Sequence, residues 1–521
     1  MDDQTEVLRF LESAEAHGPG ITVRRVETHA AFVFLAGANA YKVKRAVRFP
    51  FLDFSTLDLR QKACLNEIAV NRANAPDLYL GVVPITRHAG RLAIGGDGEV
   101  VEWAVHLRRF DETQTLDRIA TAGPLGKSLL TRLAERILEA HARAPVTTEP
   151  AAVDTFLIQA SDTLRAISEG AAIFPREAAF HFQTEMETRL AALRPLLLAR
   201  CATGEVRRCH GDLHLRNIAL IAGEPVLFDA IEFDDTIATC DVLYDLGFLL
   251  MDLCHRGLAG DANRLLNRYV WGAAEPAVLV EGLRALPVFM ALRAAVRTKV
   301  ALDLAGLSSG HAAVQDEARD EARAYLDLAS TLISPAPARL LVAVGGLSGT
   351  GKSTLAESLC PDLAPRPGAI HLRTDVERKR MLGCTLSNRL PPAAYGSDIT
   401  ERVYAQVRDL SARTLSAGFS AVVDAVHASP EERTAIEDVA RTAGAQFLGL
   451  WLEGAPEVLR QRVAERRADA SDATVEVVDR QLGYEIGPLG WHRLDATQPV
   501  AETCARALQL ISDLMTGKGA M

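Results

Sequence analysis

The sequence predicts a two-lobed α+β domain followed by a separate α/β domain built on a parallel sheet. Three observations carry that prediction. Residues 21–50 alternate through "ITVRRVETHAAFVFLAGANAYKVKRAV", a two-residue period expected of antiparallel strands joined by tight turns. Residues 240–333 are rich in Ala, Leu and Arg and read as successive helices. At Ser334-Pro335-Ala336-Pro337-Ala338 the helical run stops, because prolines end a helix and cannot join a central strand. Beyond it, Leu340 to Val344 is an apolar strand-like run that leads into a glycine turn and a helical pattern, the opening of an α/β domain. A length of 521 residues suits about three units. The expected divisions are a β-rich lobe at 1–110, a helical lobe at 111–333, a linker at 334–338 and the α/β domain at 339–521.

Within the first lobe, the alternation predicts two or three strands, and "LDLRQKACLNEIAVNR" (57–72) has helical periodicity. "GVVPI" and "EVVEWAVHL" read as further strands. Long helical patterns follow near 126–144 and 151–200, and short apolar runs at 218–221 and 226–228 predict a β-hairpin.

Composition narrows the function classes. A hydrophobic fraction of 48% and a charged fraction of 24% are those of a globular protein. The net charge of −10 disfavours general nucleic-acid binding, which calls for a basic surface, although a local basic site remains open. No apolar stretch approaches the ~18 residues of a membrane span. The opening MDDQTEVLRF shows no basic region followed by an apolar core, so no secretion signal is expected. Eight cysteines without a CxxC pair read as reduced thiols of a cytoplasmic protein.

The most specific motif is Gly346-Leu347-Ser348-Gly349-Thr350-Gly351-Lys352-Ser353-Thr354. Its glycines let successive backbone N–H groups turn inward around phosphate oxygens, and the following helix adds the positive end of its dipole. Lys352 would reach the β/γ-phosphates of ATP and the Ser353 hydroxyl would ligate Mg²⁺. Asp375 and Asp424 each follow a short apolar run, so both should face this loop beyond the carboxyl ends of a parallel sheet. Asp375 would accept a hydroxyl proton and Asp424 would hold Mg²⁺; the plainer reading of each is a capping Asp. Arg378 and Lys379 follow on the next helix, while Arg460, Arg462, Arg466 and Arg467 make either a solvated helix face or a cationic lid. With its TDxxRK segment, VVDA strand and RxxxRRxDASDA segment, the region 340–515 resembles the small P-loop kinases, such as gluconate kinase, chloramphenicol phosphotransferase, the zeta toxins and polynucleotide kinase domains. That resemblance implies an α/β P-loop NTPase fold and phosphorylation of a hydroxyl, with Lys352, Asp375, Arg462 and Arg466 as catalytic groups.

A second constellation lies about 130 residues earlier, in "RRCHGDLHLRNIALIAGEPVLFDAIEFDD". In phosphoryl transfer one Asp takes the acceptor proton, an Asn five residues on ligates Mg²⁺, and a further Asp grips the metal. Asp212, Asn217 and Asp229 stand in that order. The pattern HGDxHxxN resembles the aminoglycoside phosphotransferase and choline kinase group, small-molecule kinases with a protein-kinase-like fold, over roughly 20–330. The resemblance implies a strand cation paired to a helix carboxylate. Lys42 is favoured over Lys44 because it follows Tyr41, and Glu67 is the expected partner. It also suggests that Asp245 braces the catalytic loop, against the plainer reading of a helix-start Asp. Residues 231–235 carry three carboxylates that read as a solvated turn, or else as a lure for a cationic acceptor, and His141 reads as a packing residue. "VETHAAFVFLAG" lacks the GxGxxG of many phosphate-covering loops.

The expectation is thus two ATP- and Mg²⁺-dependent phosphotransferase modules acting on a small hydroxyl acceptor, without a membrane partner. Two alternatives stay open: a toxin-like or RNA-end kinase acting through the C-terminal domain, and a regulatory ATP-binding protein with a non-catalytic N-terminal lobe.

Overall fold

The computed structural model describes residues 3–28, 30–49, 52–170, 173–307, 312–335, 337–465 and 471–517. The chain forms two compact units, Met1–Asp252 and Leu253–Met521. This divide falls upstream of the proline segment at 334–338 that reads as a linker, because helices after residue 253 pack with the α/β domain.

In the first unit the strands are β1 (Val23–Glu27), β2 (Ala31–Ala36), β3 (Asn39–Lys44), β4 (Arg48–Phe49), β5 (Leu52–Asp53), β6 (Tyr79–His88), β7 (Arg91–Ile94) and β8 (Glu99–Arg108). Six of them form an antiparallel sheet in the order β1-β2-β3-β8-β6-β7. Alternation decides what each face carries. Tyr41 and Val43 enter an apolar cluster with Val7, Leu11, Phe32 and Phe34, which turns Lys42 and Lys44 to the opposite face. The helix Leu57–Asn71 packs along β8 and is capped by Thr56, whose hydroxyl accepts from the Leu59 N–H.

The helical part of this unit includes Lys127–Arg143, Pro150–Glu169 and Arg176–Ala202. The long pattern at 151–200 is therefore two packed helices, since Gly170 and Pro175 interrupt a periodicity that each arm continues. Strand β9 (Val206–Arg208) precedes the HGD loop, and β10 (Ile218–Ile221) and β11 (Glu224–Leu227) form the expected hairpin. Strand β12 (Thr239–Asp241) pairs with β9 and leads into the helix Val242–His255.

The second unit has a five-stranded parallel sheet: β13 (Leu340–Gly346), β14 (Ile370–Arg373), β15 (Ala421–Asp424), β16 (Gln446–Glu453) and β17 (His492–Asp495), in the order β14-β15-β13-β16-β17. Every residue of the central strand β13 is buried, as expected for a strand covered on both faces. Leu340, Val342 and Val344 pack against Leu355 and Leu359 of the helix Lys352–Leu359. The outer edge of β14 is covered by the helix Ala259–Gly272. Among the described residues, no helix is long and apolar enough to cross a membrane.

Candidate functional site

In the first unit the polar groups gather where β3, the helix Leu57–Asn71, the HGD loop and the end of β11 meet. Lys42 donates to Glu67 at 2.9 Å and to Asp229 at 2.5 Å. Lys44 donates to the other Glu67 oxygen at 2.5 Å and also to Glu232. One buried carboxylate thus holds both lysines that share a face of the strand. Burial works against charge on every member, yet the opposite charges prevail: Lys42 and Lys44 are held above the ordinary lysine range, and Glu67 and Asp229 below the ordinary carboxylate range. The structure brings Lys42 and Glu67 together, and Lys44 to the same carboxylate. Glu232 departs from the sequence expectation, being buried against Lys44 where a solvated turn was expected; its neighbour Asp234 caps a short helix through Thr236 N–H at 2.8 Å.

Asp229 has a left-handed backbone with φ of +61°, and its N–H donates to the Tyr79 hydroxyl at 3.0 Å. A non-glycine residue in that conformation is held there by its surroundings. Asn217 donates through its side-chain amide to the Asp212 carboxylate at 2.8 Å and to the Asp212 carbonyl at 3.0 Å, and His214 Nε2 lies 3.3 Å from the same carboxylate. Behind the loop, Asp245 accepts from Gly211 N–H at 2.8 Å and His210 N–H at 3.3 Å, and pairs with His141 Nε2 at 3.1 Å. Asp245 therefore braces the loop, and His141 packs as expected. With Cys209 these two residues form a buried His–Cys–Asp group, but the Asp245 oxygens already serve the loop's backbone. Two turns later Asp252 accepts from Leu215 N–H at 3.0 Å.

In the second unit the phosphate loop follows β13. Gly346 has φ +137° and Gly349 +88°, and a Cβ on either would meet a backbone oxygen, of Leu452 or Leu459, at 2.6 Å. Both positions demand glycine on two counts. Ser348, Gly349, Gly351, Lys352, Ser353, Thr354, Asp375, Asp424 and Arg462 all line one cavity of 1060 Å³. Thr350 is buried and turns its hydroxyl back to the Leu347 carbonyl at 2.8 Å. Lys352 donates to the same carbonyl at 3.0 Å. Asp375 sits in the first turn of the helix Thr374–Met381, where burial raises its carboxyl above the usual range against the pull of Arg373. Asp424 ends β15; burial opposes its charge, but His371 and Arg373 hold it well below the usual range. Arg466 and Arg467 lie outside the described residues, whereas Arg462 stands on the helix Pro456–Glu465.

Sequence reasoning missed Arg373. Its guanidinium donates to Asp424 at 3.2 Å and to the Ser353 hydroxyl at 2.9 Å, spanning the two groups expected to hold a metal. A positive group already bridges a hydroxyl and a carboxylate, hard oxygen donors of the kind Mg²⁺ takes. The residues present fit that ion. Gln481 was also missed: its carbonyl oxygen accepts from Ser348 N–H at 2.7 Å across 133 residues. Arg373 ends a strand beside the TD motif and had a local signal; Gln481 had none.

Residues 56–279 match the family model described as Phosphotransferase enzyme family, and residues 341–485 match the model described as AAA domain. Two different family models thus match successive regions of one chain. The double resemblance read from the sequence holds, as does the fold class: a kinase-like α+β region followed by an α/β P-loop domain. Curated relatives span both regions. Uncharacterized proteins of Mycobacterium tuberculosis and Mycobacterium bovis are 28% identical over 507 residues, covering 94% of this chain and 95% of theirs. Among solved structures, a choline/ethanolamine kinase family protein from Mesorhizobium loti is similar over 63% of this chain and 97% of its own, with 16% identity and a TM-score of 0.37. A gluconokinase from Sinorhizobium meliloti is similar over 35% of this chain and 96% of its own, with 21% identity and a TM-score of 0.27.

Proposed function

We propose that the chain is an ATP-dependent phosphotransferase with two kinase modules, each moving the γ-phosphoryl group to a hydroxyl of a small polar acceptor. The observation that carries this reading is the repeated grouping of a cation, oxygen donors suited to Mg²⁺ and a further carboxylate. Lys42, Asn217, Asp229 and Asp212 form one group. Lys352, Ser353, Asp424 and Asp375 form the other on a single cavity wall. We take the functional modules as 1–333, with lobes 1–110 and 111–333, and 339–521, joined by 334–338. Eight free cysteines suit a cytoplasmic setting.

In the N-terminal module Lys42 would hold the α/β-phosphates, steadied by Glu67, while Asp212 orients the acceptor hydroxyl and takes its proton. Asn217 and Asp229 would hold Mg²⁺ there. In the C-terminal module the backbone N–H groups of Gly349, Gly351 and Thr354 would cradle phosphate oxygens, joined by those of Ser348 and Thr350 once they leave the Gln481 and Leu347 oxygens. Gly346 gives the loop its turn, and Lys352 would swing from the Leu347 carbonyl to the β/γ-phosphates. Ser353 and Asp424 would hold Mg²⁺, and Asp375 would take the acceptor proton. Arg462 would bring positive charge from the helix Pro456–Glu465, and Arg466 is proposed to add to that charge. Mg²⁺, when bound with ATP, neutralises charge on the phosphates.

The test is transfer from γ-labelled ATP, screened against sugars, aminoglycosides, nucleotides and RNA ends with the full chain. Lys352→Ala and Asp212→Ala should each cut a different subset of products, by about 10²–10⁴-fold for the Asp212 variant. Transfer that survives both substitutions together would sink the two-module reading. RNA-end labelling lost with Lys352→Ala would favour the toxin-like alternative.

A further inference from the structure

Among the described residues no strand pairs with the outer side of β14, and side chains of a helix meet its backbone groups at Ala369 and His371 instead. Asn263 and Asn267 donate through their side-chain amides to the Ala369 carbonyl at 3.0 and 3.2 Å, and His371 N–H donates to the Asn267 side-chain oxygen Oδ1 at 2.7 Å. Trp271 Nε1–H then donates to the His371 carbonyl at 2.7 Å. Residues 263, 267 and 271 lie one turn apart on one face of the helix Ala259–Gly272. One helical turn rises about 5.4 Å and two strand residues about 6.6 Å, close enough for the helix to follow the edge as a strand would.

Trp271 does more than cap. Its indole meets the His371 ring edge-on at 5.3 Å and lies 5.4 Å from the Arg373 guanidinium and 4.1 Å from that of Arg268. Arg268 is itself tied to Glu357 at 3.1 Å, which fixes the ring from the helix side. Arg373 is the group that bridges Ser353 and Asp424. Its charge therefore has two attractions: the oxygens expected to hold Mg²⁺, and the π face of Trp271.

We infer that Trp271 is a positioning residue for the phosphate-loop site, giving Arg373 an aromatic seat so that Ser353 and Asp424 can be shared with Mg²⁺. The inference rests on the reading of that loop as a nucleotide site. Without the indole, Arg373 loses its aromatic contact and leans more on the Ser353 and Asp424 oxygens, in competition with the metal. Loss of Trp271 thus weakens Mg²⁺-assisted nucleotide binding and leaves metal-free binding nearly unchanged.

The experiment titrates a fluorescent methylanthraniloyl-ATP onto the full chain, with MgCl₂ varied and with EDTA as the metal-free arm. The relevant signal is the part that Lys352→Ala abolishes. Trp271→Phe keeps a ring and loses the N–H; Trp271→Ala loses both. Half-saturating Mg²⁺ should rise about tenfold in Trp271→Ala and less in Trp271→Phe, the range seen when a metal ligand's supporting partner is lost. Affinity in EDTA should stay within about twofold, well under the 1.4 kcal/mol of a tenfold change. Equal loss with and without Mg²⁺, or no shift in either variant, overturns the inference. If Trp271→Ala does not fold, Trp271→Phe alone decides. A signal that Lys352→Ala leaves whole overturns the nucleotide-site reading, and the inference with it.

Discussion

His427 follows the Asp424 strand, is buried, and has a left-handed backbone with φ of +50°. Neither ring nitrogen has a hydrogen-bond partner, and burial pushes the imidazole down to about 3. An unfolded histidine takes its proton near pH 6.5, whereas this one does not until far lower. The unfolded chain therefore binds more protons between those values, so stability falls as pH drops through that window. The loss should be about 2 kcal/mol between pH 7 and pH 5. Denaturant melts of wild type and His427→Leu at both pH values check this: the variant should lose less on acidification. The contrast with Glu232 shows what single residues disclose. The order Asp212, Asn217, Asp229 stood out in the sequence because a phosphoryl-transfer reading calls for those residue types in that order. Glu232 did not, because its partner Lys44 lies 188 residues away and only the fold brings them together.

At the scale of elements, the helix Val242–His255 works through its buried acids. Asp245 and Asp252 both accept backbone N–H groups of the HGD loop. Asp245→Ala would leave two buried N–H donors and His141 without that partner, so a loss of about 3 kcal/mol is expected. Urea unfolding of the full chain measures it; products that depend on Asp212 should fall in kcat more than rise in KM. Parallel and antiparallel sheets were readable from period and composition, since β13 is an unbroken apolar run and β3 alternates. The pair Pro150–Glu169 and Arg176–Ala202 was not resolved, because both arms keep a helical period across a short break. The role of Ala259–Gly272 at a sheet edge was also hidden. Two asparagines and a tryptophan at four-residue spacing read as ordinary helix surface until the strand beside them is known.

For the whole molecule, the proline segment and the packing divide disagree, and the disagreement has a consequence for how the protein can be cut. Removing everything before residue 339 would strip β14 of Asn263, Asn267 and Trp271. The Ala369 carbonyl and the His371 N–H and carbonyl would then face water along a bare strand edge, a template for pairing with another copy. A fragment of 339–521 should self-associate, while 253–521 should stay monomeric; light scattering coupled to size exclusion separates the outcomes. Equal behaviour of the two would show that the helix is dispensable to the edge. The helix Ala259–Gly272 thus stands where one more strand would otherwise add to the parallel sheet.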